Sequence, residues 1–195
     1  MLDVKDHASA YVKGDTTVPG GTVYDISGYA YNGTSNGVTI TPGGPKFNNS
    51  SKFNGSVNII TTSPCTEVRT LWIWVKWYSI PSYQSVVFLD GKSHLGLGLM
   101  STGILCGTSG TGNYKTFSKA NIVAKTWYHF VVVNPGDIAG VDRKLYINGV
   151  EQTPTGNVSN WTYGIDQTQI GKRSTTSDGF VGELSDVSLY ATALS

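Results

Sequence analysis

Apolar and polar residues alternate over short runs along this chain, each run ended by Gly, Pro, Asn or Ser, and they almost nowhere recur at helical spacing. SAYVK, VTITP, SKFNGSVNIIT, RTLWIWVKWYSI, SVVFLDG, LGLGLM, GILCGT, TWYHFVVVN, KLYINGVEQTP, TQIGK and VGELSDVSLYA all read as strands. That many strands without a helical pattern between them predict an all-β chain, two antiparallel sheets packed as a β-sandwich or jelly roll. The polar segments 41–51 and 107–121 read as surface loops, and no linker or fixed-period repeat interrupts the pattern. A single domain over residues 1–195 is expected, with 1–20 supplying a first strand and its lead-in.

Two runs narrow the picture. In LYINGVEQ, Asn148-Gly149 lies between alternating strand residues. A type I′ turn needs positive φ at both central positions, which Asn and Gly tolerate, so a two-residue hairpin is expected there. In TLWIWVKWY, alternation sends Leu71, Ile73, Val75 and Trp77 one way and Trp72, Trp74, Lys76 and Tyr78 the other. Both sets are too apolar for an edge, which places this strand at the centre of a sheet with covered or adhesive surfaces on both sides.

Composition agrees and also excludes. Gly 24, Tyr 11 and Trp 5 beside only 14% charged residues suit a β protein rich in turns. Lys and Arg number 14 against 13 Asp and Glu, with no basic stripe, which argues against nucleic acid as a partner. No apolar run approaches the roughly 20 residues of a membrane-spanning helix, so membrane insertion is not expected. The opening MLDVKDHASA lacks the basic and apolar regions of a secretory signal; the expectation is a chain that reaches the outside by another route, such as virion release, or one cut from a longer protein. Cys65 and Cys106 either pair or stay reduced; one bridge is not a disulfide framework in a chain this long, and free buried thiols are the expectation.

The motifs DISG (25–28), NGT (32–34), KFNGS (52–56), WVK (74–76), WYHFVVV (127–133), LYINGV (145–150), QIG (169–171) and GELSDVSLYATALS (182–195) follow one another in that order. In that order the chain resembles the laminin-G-like jelly-roll family, also described as concanavalin A-like lectin/glucanase domains. The resemblance implies a concanavalin A-like sandwich over nearly the whole chain, on a fold that hosts lectins, enzymes and scaffolds alike.

Glucan-hydrolysing members of that fold resemble one another in a Glu-x-Asp-x-x-Glu strand, and retaining hydrolysis needs two carboxyl groups about 5 Å apart. Here Glu67, Glu151 and Glu183 are the only glutamates and lie far apart in sequence. Glu183 and Asp186 stand at odd spacing, which in a regular strand puts their side chains on opposite faces. Ser27 is not in a Gly-x-Ser-x-Gly elbow, and His7, His94 and His129 lack metal-ligand spacing. A protein that is not an enzyme is expected, and His129 reads as a packed histidine held by one hydrogen bond.

In YDISGYAYNGT, Asp25 and Asn32 bracket a tight turn whose carbonyls are of the kind calcium takes as oxygen ligands. The resemblance implies a structural calcium joining this loop to the last strand, with Asp186 as the second carboxylate. The alternative for Asp25 is an Asx-type turn with no metal.

The resemblance also implies that sugars sit on a sheet face or on rim loops, against aromatic rings and amide side chains. Trp72 on the central strand is one candidate, against simple packing. Trp161, with Asn160 and Tyr163 in the polar segment SNWTYG, is the other. Six Asn-x-Ser/Thr sequons begin at Asn32, Asn48, Asn49, Asn54, Asn157 and Asn160, as expected from composition alone. The leading expectation is a non-catalytic recognition module, extracellular or on a virion surface, that binds a cell-surface glycan. The competing one is a capsid or tail decoration protein that docks on a scaffold protein or forms a homo-oligomer, and the third a remnant glycoside hydrolase.

Overall fold

The computed structural model describes residues 7–10, 21–23, 32–46, 49–57, 59–61, 68–80, 82–89, 95–107, 114–135, 143–158, 168–171 and 179–194. The strands among them are β1 (His7–Ala10), β2 (Gly21–Val23), β3 (Gly33–Ser35), β4 (Thr39–Pro42), β5 (Asn49–Asn54), β6 (Ile59–Thr61), β7 (Thr70–Trp77), β8 (Tyr83–Leu89) and β9 (Gly96–Met100). They continue with β10 (Gly103–Cys106), β11 (Tyr114–Phe117), β12 (Tyr128–Val133), β13 (Lys144–Ile147), β14 (Val150–Glu151), β15 (Pro154–Val158), β16 (Thr168–Ile170) and β17 (Val181–Tyr190). The first sheet runs β14-β13-β12-β7-β17-β5-β4, with β1 also on β17; the second runs β15-β11-β10-β9-β8-β16-β6-β3-β2. Every pairing described is antiparallel, for instance β7 with β12 and with β17. The expected two-sheet sandwich is what forms, and no helix among the described residues is long and apolar enough to cross a membrane.

The expected central strand is central. β7 lies between β12 and β17 and alternates as read: Leu71, Ile73, Val75 and Trp77 are fully buried, while Trp72, Trp74 and Lys76 are half-buried. The buried set meets Phe130 and Val132 of β12, Leu184, Val187 and Leu189 of β17, and residues of the second sheet that include Leu97, Leu99, Ile104 and Phe117. Trp77 meets Phe130 edge-on at 5.5 Å between ring centroids and Phe180 at 6.1 Å. Each such side chain contributes about 1.5–3 kcal/mol by leaving water. Cys106 is a free thiol within this core, and burial raises its pKa far above the ordinary value. Cys65 lies outside the described residues.

β17 carries an irregularity that ordinary alternation does not predict. Ser185 pairs with Trp74 and Ser188 with Trp72, so Asp186 and Val187 stand together against Ile73 in a bulge, with Asp186 at φ 52. Asp tolerates this left-handed conformation better than most residues. The extra residue also divides the other edge of β17: β5 pairs with Val181–Leu184 and β1 with Val187–Tyr190.

Three readings need correction. SKFNGSVNIIT is two strands in different sheets, β5 in the first and β6 in the second, because Gly55 turns the chain at φ 88 and donates its N–H to the Phe180 carbonyl at 2.9 Å. The segments read as loops contain β11 and the start of β5, whose polar residues still pair by backbone. β2, β3 and β15 are too short or too polar to have been recognised. The hairpin, by contrast, is where it was expected: Asn148 and Gly149 have φ of 51° and 81°. The Asn148 side-chain oxygen also accepts the His129 N–H at 2.9 Å, tying the turn to β12.

Two glycines test this packing. A Cβ on Gly171, at φ 88, would fall on the ring of Phe53, whereas one on Gly149, at φ 81, would meet nothing. Gly171→Ala is expected to lower unfolding free energy by about 3 kcal/mol through strain and overpacking together. Gly149→Ala is expected to lower it by about 1 kcal/mol through conformation alone. Urea unfolding followed by tryptophan fluorescence measures both.

Candidate functional site

The second set of β7 side chains opens onto the face of the first sheet turned away from the core. Trp72 and Trp74 are joined there by His129, whose ring centroid lies 4.7 Å from Trp72 and 4.9 Å from Trp74. Tyr190 of β17 comes within 6.5 Å of Trp72. Glu183, Ser185, Ser188 and Tyr190 of β17 are all buried although they lie on this outer face. Aromatic side chains with a few polar groups set among them are what ligand sites are lined with.

Two lysine–carboxylate pairs mark the ends of the aromatic cluster. At one, Lys76 Nζ lies 2.7 Å from Glu183 Oε1, and the same carboxylate accepts hydrogen bonds from Tyr78 at 2.8 Å and Ser50 at 2.7 Å. Lys76 also stands 4.8 Å from the centre of the Trp127 ring, and Lys52 lies 5.7 Å from that of Tyr78. Burial acts on Glu183 to raise its pKa. The hydrogen bonds from Lys76, Ser50 and Tyr78, with the lysine charge, outweigh it and hold the carboxyl below its ordinary value. Burial and the bond to Glu183 push Tyr78 up to about 12.

At the other end, Lys46 reaches in from the turn after β4. Its ammonium lies 5.0 Å from the centre of the Trp72 ring and 3.1 Å from Asp186 Oδ2. That contact is an ion pair by distance, while its angles do not make a hydrogen bond. Trp72 Nε1, His129 Nε2 and Asp186 Oδ2 are buried without a hydrogen-bond partner among the described residues. Burial lowers the pKa of His129, Lys46 lowers it further, and Asp186 opposes.

The bulge overturns one expectation. Asp186 keeps company with Lys46, Ser188 and His129, all on the face that carries Glu183, so the two carboxylates share a face that regular alternation would have split. A hydrolase needs one carboxyl kept protonated near neutral pH, and Glu183 is held ionised by three donors.

The calcium expectation turns on Asp25, which lies outside the described residues. No group of three or more His, Cys, Asp or Glu gathers among them, and the Asp186 carboxylate faces a lysine ammonium, which repels a divalent cation. Asn32 is half-buried just before β3, in the other sheet. Trp161, Asn160 and Tyr163 lie outside the described residues too, while Trp72 belongs to the cluster. Trp74 and Tyr78 were legible as its neighbours from alternation alone. Lys46 and Tyr190 carried no signal in the sequence. His129, expected to be held by one hydrogen bond, has none at Nε2 among the described residues.

A family model described as the concanavalin A-like lectin/glucanases superfamily matches residues 32–195. No curated protein matches the chain. Among solved structures, domain 4 of an extracellular arabinanase from Geobacillus stearothermophilus, in complex with arabinotriose, shares 18% identity at a TM-score of 0.63, over 96% of this chain and 95% of that one. The receptor-binding domain of botulinum neurotoxin type G matches at 16% identity and a TM-score of 0.63, over 96% of this chain and 48% of that one. The ligand-binding domain of serotype D, in complex with N-acetylneuraminic acid, matches at 17% identity and a TM-score of 0.61, over 98% of this chain and 48% of that one. The chain therefore spans about half the length of these neurotoxin domains.

Both ends of the cluster make stability fall on acidification. The unfolded chain protonates His129 near the ordinary value of 6.5, while the folded state resists to a lower pH; stability is full above that value and falls as pH drops below it, down to the folded pKa. Glu183 contributes fully above its ordinary 4.5, and its contribution is lost as pH falls through the lower folded value. Urea unfolding across this range should show both losses, and Glu183→Gln should remove the second while sparing the first. At neutral pH, Glu183→Ala should lower stability by about 2 kcal/mol, since it leaves Lys76, Tyr78 and Ser50 without their shared acceptor.

Proposed function

The chain belongs to the concanavalin A-like lectin/glucanase superfamily, and we propose that it is a non-catalytic module that binds a glycan on the outer face of its first sheet. The observation that carries this reading is the cluster of Trp72, His129 and Trp74, half-buried on the outer face with charged and hydroxyl side chains beside it. Flat rings receive the C–H faces of sugars, and fixed polar groups around them choose among hydroxyl arrangements. Sugar-bound neighbours of the same fold, one with arabinotriose and one with N-acetylneuraminic acid, are consistent with it. A cell-surface glycan is the partner proposed, and the setting extracellular or a virion surface.

The assembly alternative finds less support. A stable interface needs about 800 Å² from each partner, with an apolar centre. Among the described residues the exposed large hydrophobics are Val123 and Val150.

Glycan-array binding of the purified chain tests the proposal. Trp74→Ala is expected to weaken the signal about tenfold or more, the loss of one stacked ring. Loss of binding in Trp161→Ala with Trp74→Ala unaffected would move the site to the 160–164 segment. A flat array with oligomers that grow with concentration would favour the assembly role.

A further inference from the structure

The occupant of the outer face is part of the chain itself. The Lys46 ammonium sits over the Trp72 ring and against the Asp186 carboxylate, an aromatic face and an anion together, which is how proteins hold organic ammonium groups. The lysine side chain is 48% exposed and comes from the turn after β4, whereas that of Asp186 is 10% exposed and belongs to a strand.

The lysine also leaves the cradle incomplete. Trp72 Nε1 and His129 Nε2 are buried without hydrogen bonds, and Asp186 Oδ2 meets the ammonium without forming one. Buried polar groups in native proteins are nearly always satisfied, so Trp72 Nε1 and His129 Nε2, unpartnered beside the ion pair, call for a partner that brings hydroxyl groups as well as a positive charge. A lysine side chain has no hydroxyl to offer.

We propose that this cradle binds an unacetylated amino sugar, whose ring ammonium displaces that of Lys46 and whose hydroxyls engage Trp72 Nε1 and His129 Nε2. The proposal rests on the glycan reading and gives it a ligand class. Asp186 supplies the counter-charge, Trp72 and Trp74 the ring surfaces, and Lys46 acts as a competitor built into the chain. Burial, by keeping His129 neutral, avoids a second positive charge beside the incoming one. Ligands with carboxylate or sulfate groups are disfavoured, since they would meet Asp186 without water between them.

The test compares glucosamine trimer with its fully N-acetylated counterpart, two probes that differ only in the charge and bulk at nitrogen. Binding to the full chain is followed by calorimetry and by the tryptophan indole N–H signals in NMR. The trimer should bind and shift the Trp72 indole signal, and the acetylated form should bind at least tenfold more weakly. Lys46→Met should tighten trimer binding about fivefold, because an intramolecular competitor lowers apparent affinity by the fraction of time it occupies the site. Asp186→Asn should abolish the preference for the free amine. In the absence of sugar, Lys46→Met should also speed solvent exchange of the Trp72 indole proton. Equal binding of the two probes, weaker trimer binding in Lys46→Met, or an unchanged indole exchange rate would each overturn the proposal. Equally tight binding of acetyl-lysine amide with a free side-chain amine would assign the cradle to peptides instead of sugars. Array binding of other glycans that Trp74→Ala removes, with no response to the trimer, would sink this inference and leave the glycan reading standing; a flat array would sink that reading.

Discussion

The shift in register of β17 at Asp186 is the constraint on which the rest of the molecule depends. The strand faces β7 along one edge and must serve β5 and then β1 along the other. A regular ten-residue strand would send position 186 toward the core and 187 away from it. The additional residue reverses that, placing Val187 among Leu184, Leu189 and Ile73 while releasing an aspartate to the outer face. One backbone irregularity therefore completes the core and also supplies the negative charge beside Trp72.

The aromatic cluster follows from the same geometry. β7 was read correctly because its alternation is strict and its apolar content is high on both sides, so period and burial agree. Trp72, Trp74 and Tyr78 were thereby legible as neighbours. Asp186 was not, since its orientation depends on a bulge that only the packing of two other strands against β17 enforces. Lys46 was not either, because a turn lysine becomes meaningful only when the fold brings it to a ring 26 positions further on. The hairpin at Asn148-Gly149 lies at the opposite extreme: its requirement for positive φ is local and is written in two adjacent residues. The overestimated strand SKFNGSVNIIT shows the same division, for its apolar pattern continues across Gly55 while the sheet does not.

Charge on the outer face is handled without acidic excess. Glu183 and Asp186 each meet a lysine from another strand or turn, so neither stands as an uncompensated charge. The two pairs differ in completeness. Glu183 has three donors in a closed network, which fixes its position and its ionisation. Asp186 has one ammonium and a 3.5 Å contact from Ser188. One end of the cluster is structural and the other adaptable.

The place of β17 in the chain also bears on how the protein comes into being. It is made of residues 181–190, yet its partners begin as early as His7 and include the central β7. On the ribosome, Trp72, Trp74 and the open edge of β7 are therefore synthesised more than a hundred residues before the strand that covers that edge. Contacts of such long sequence separation form slowly, and an apolar strand waiting for its neighbour is a target for mispairing. Lys76, set among the tryptophans of that strand, interrupts the apolar run during the interval, as charged residues do where a sheet edge must stay unpaired.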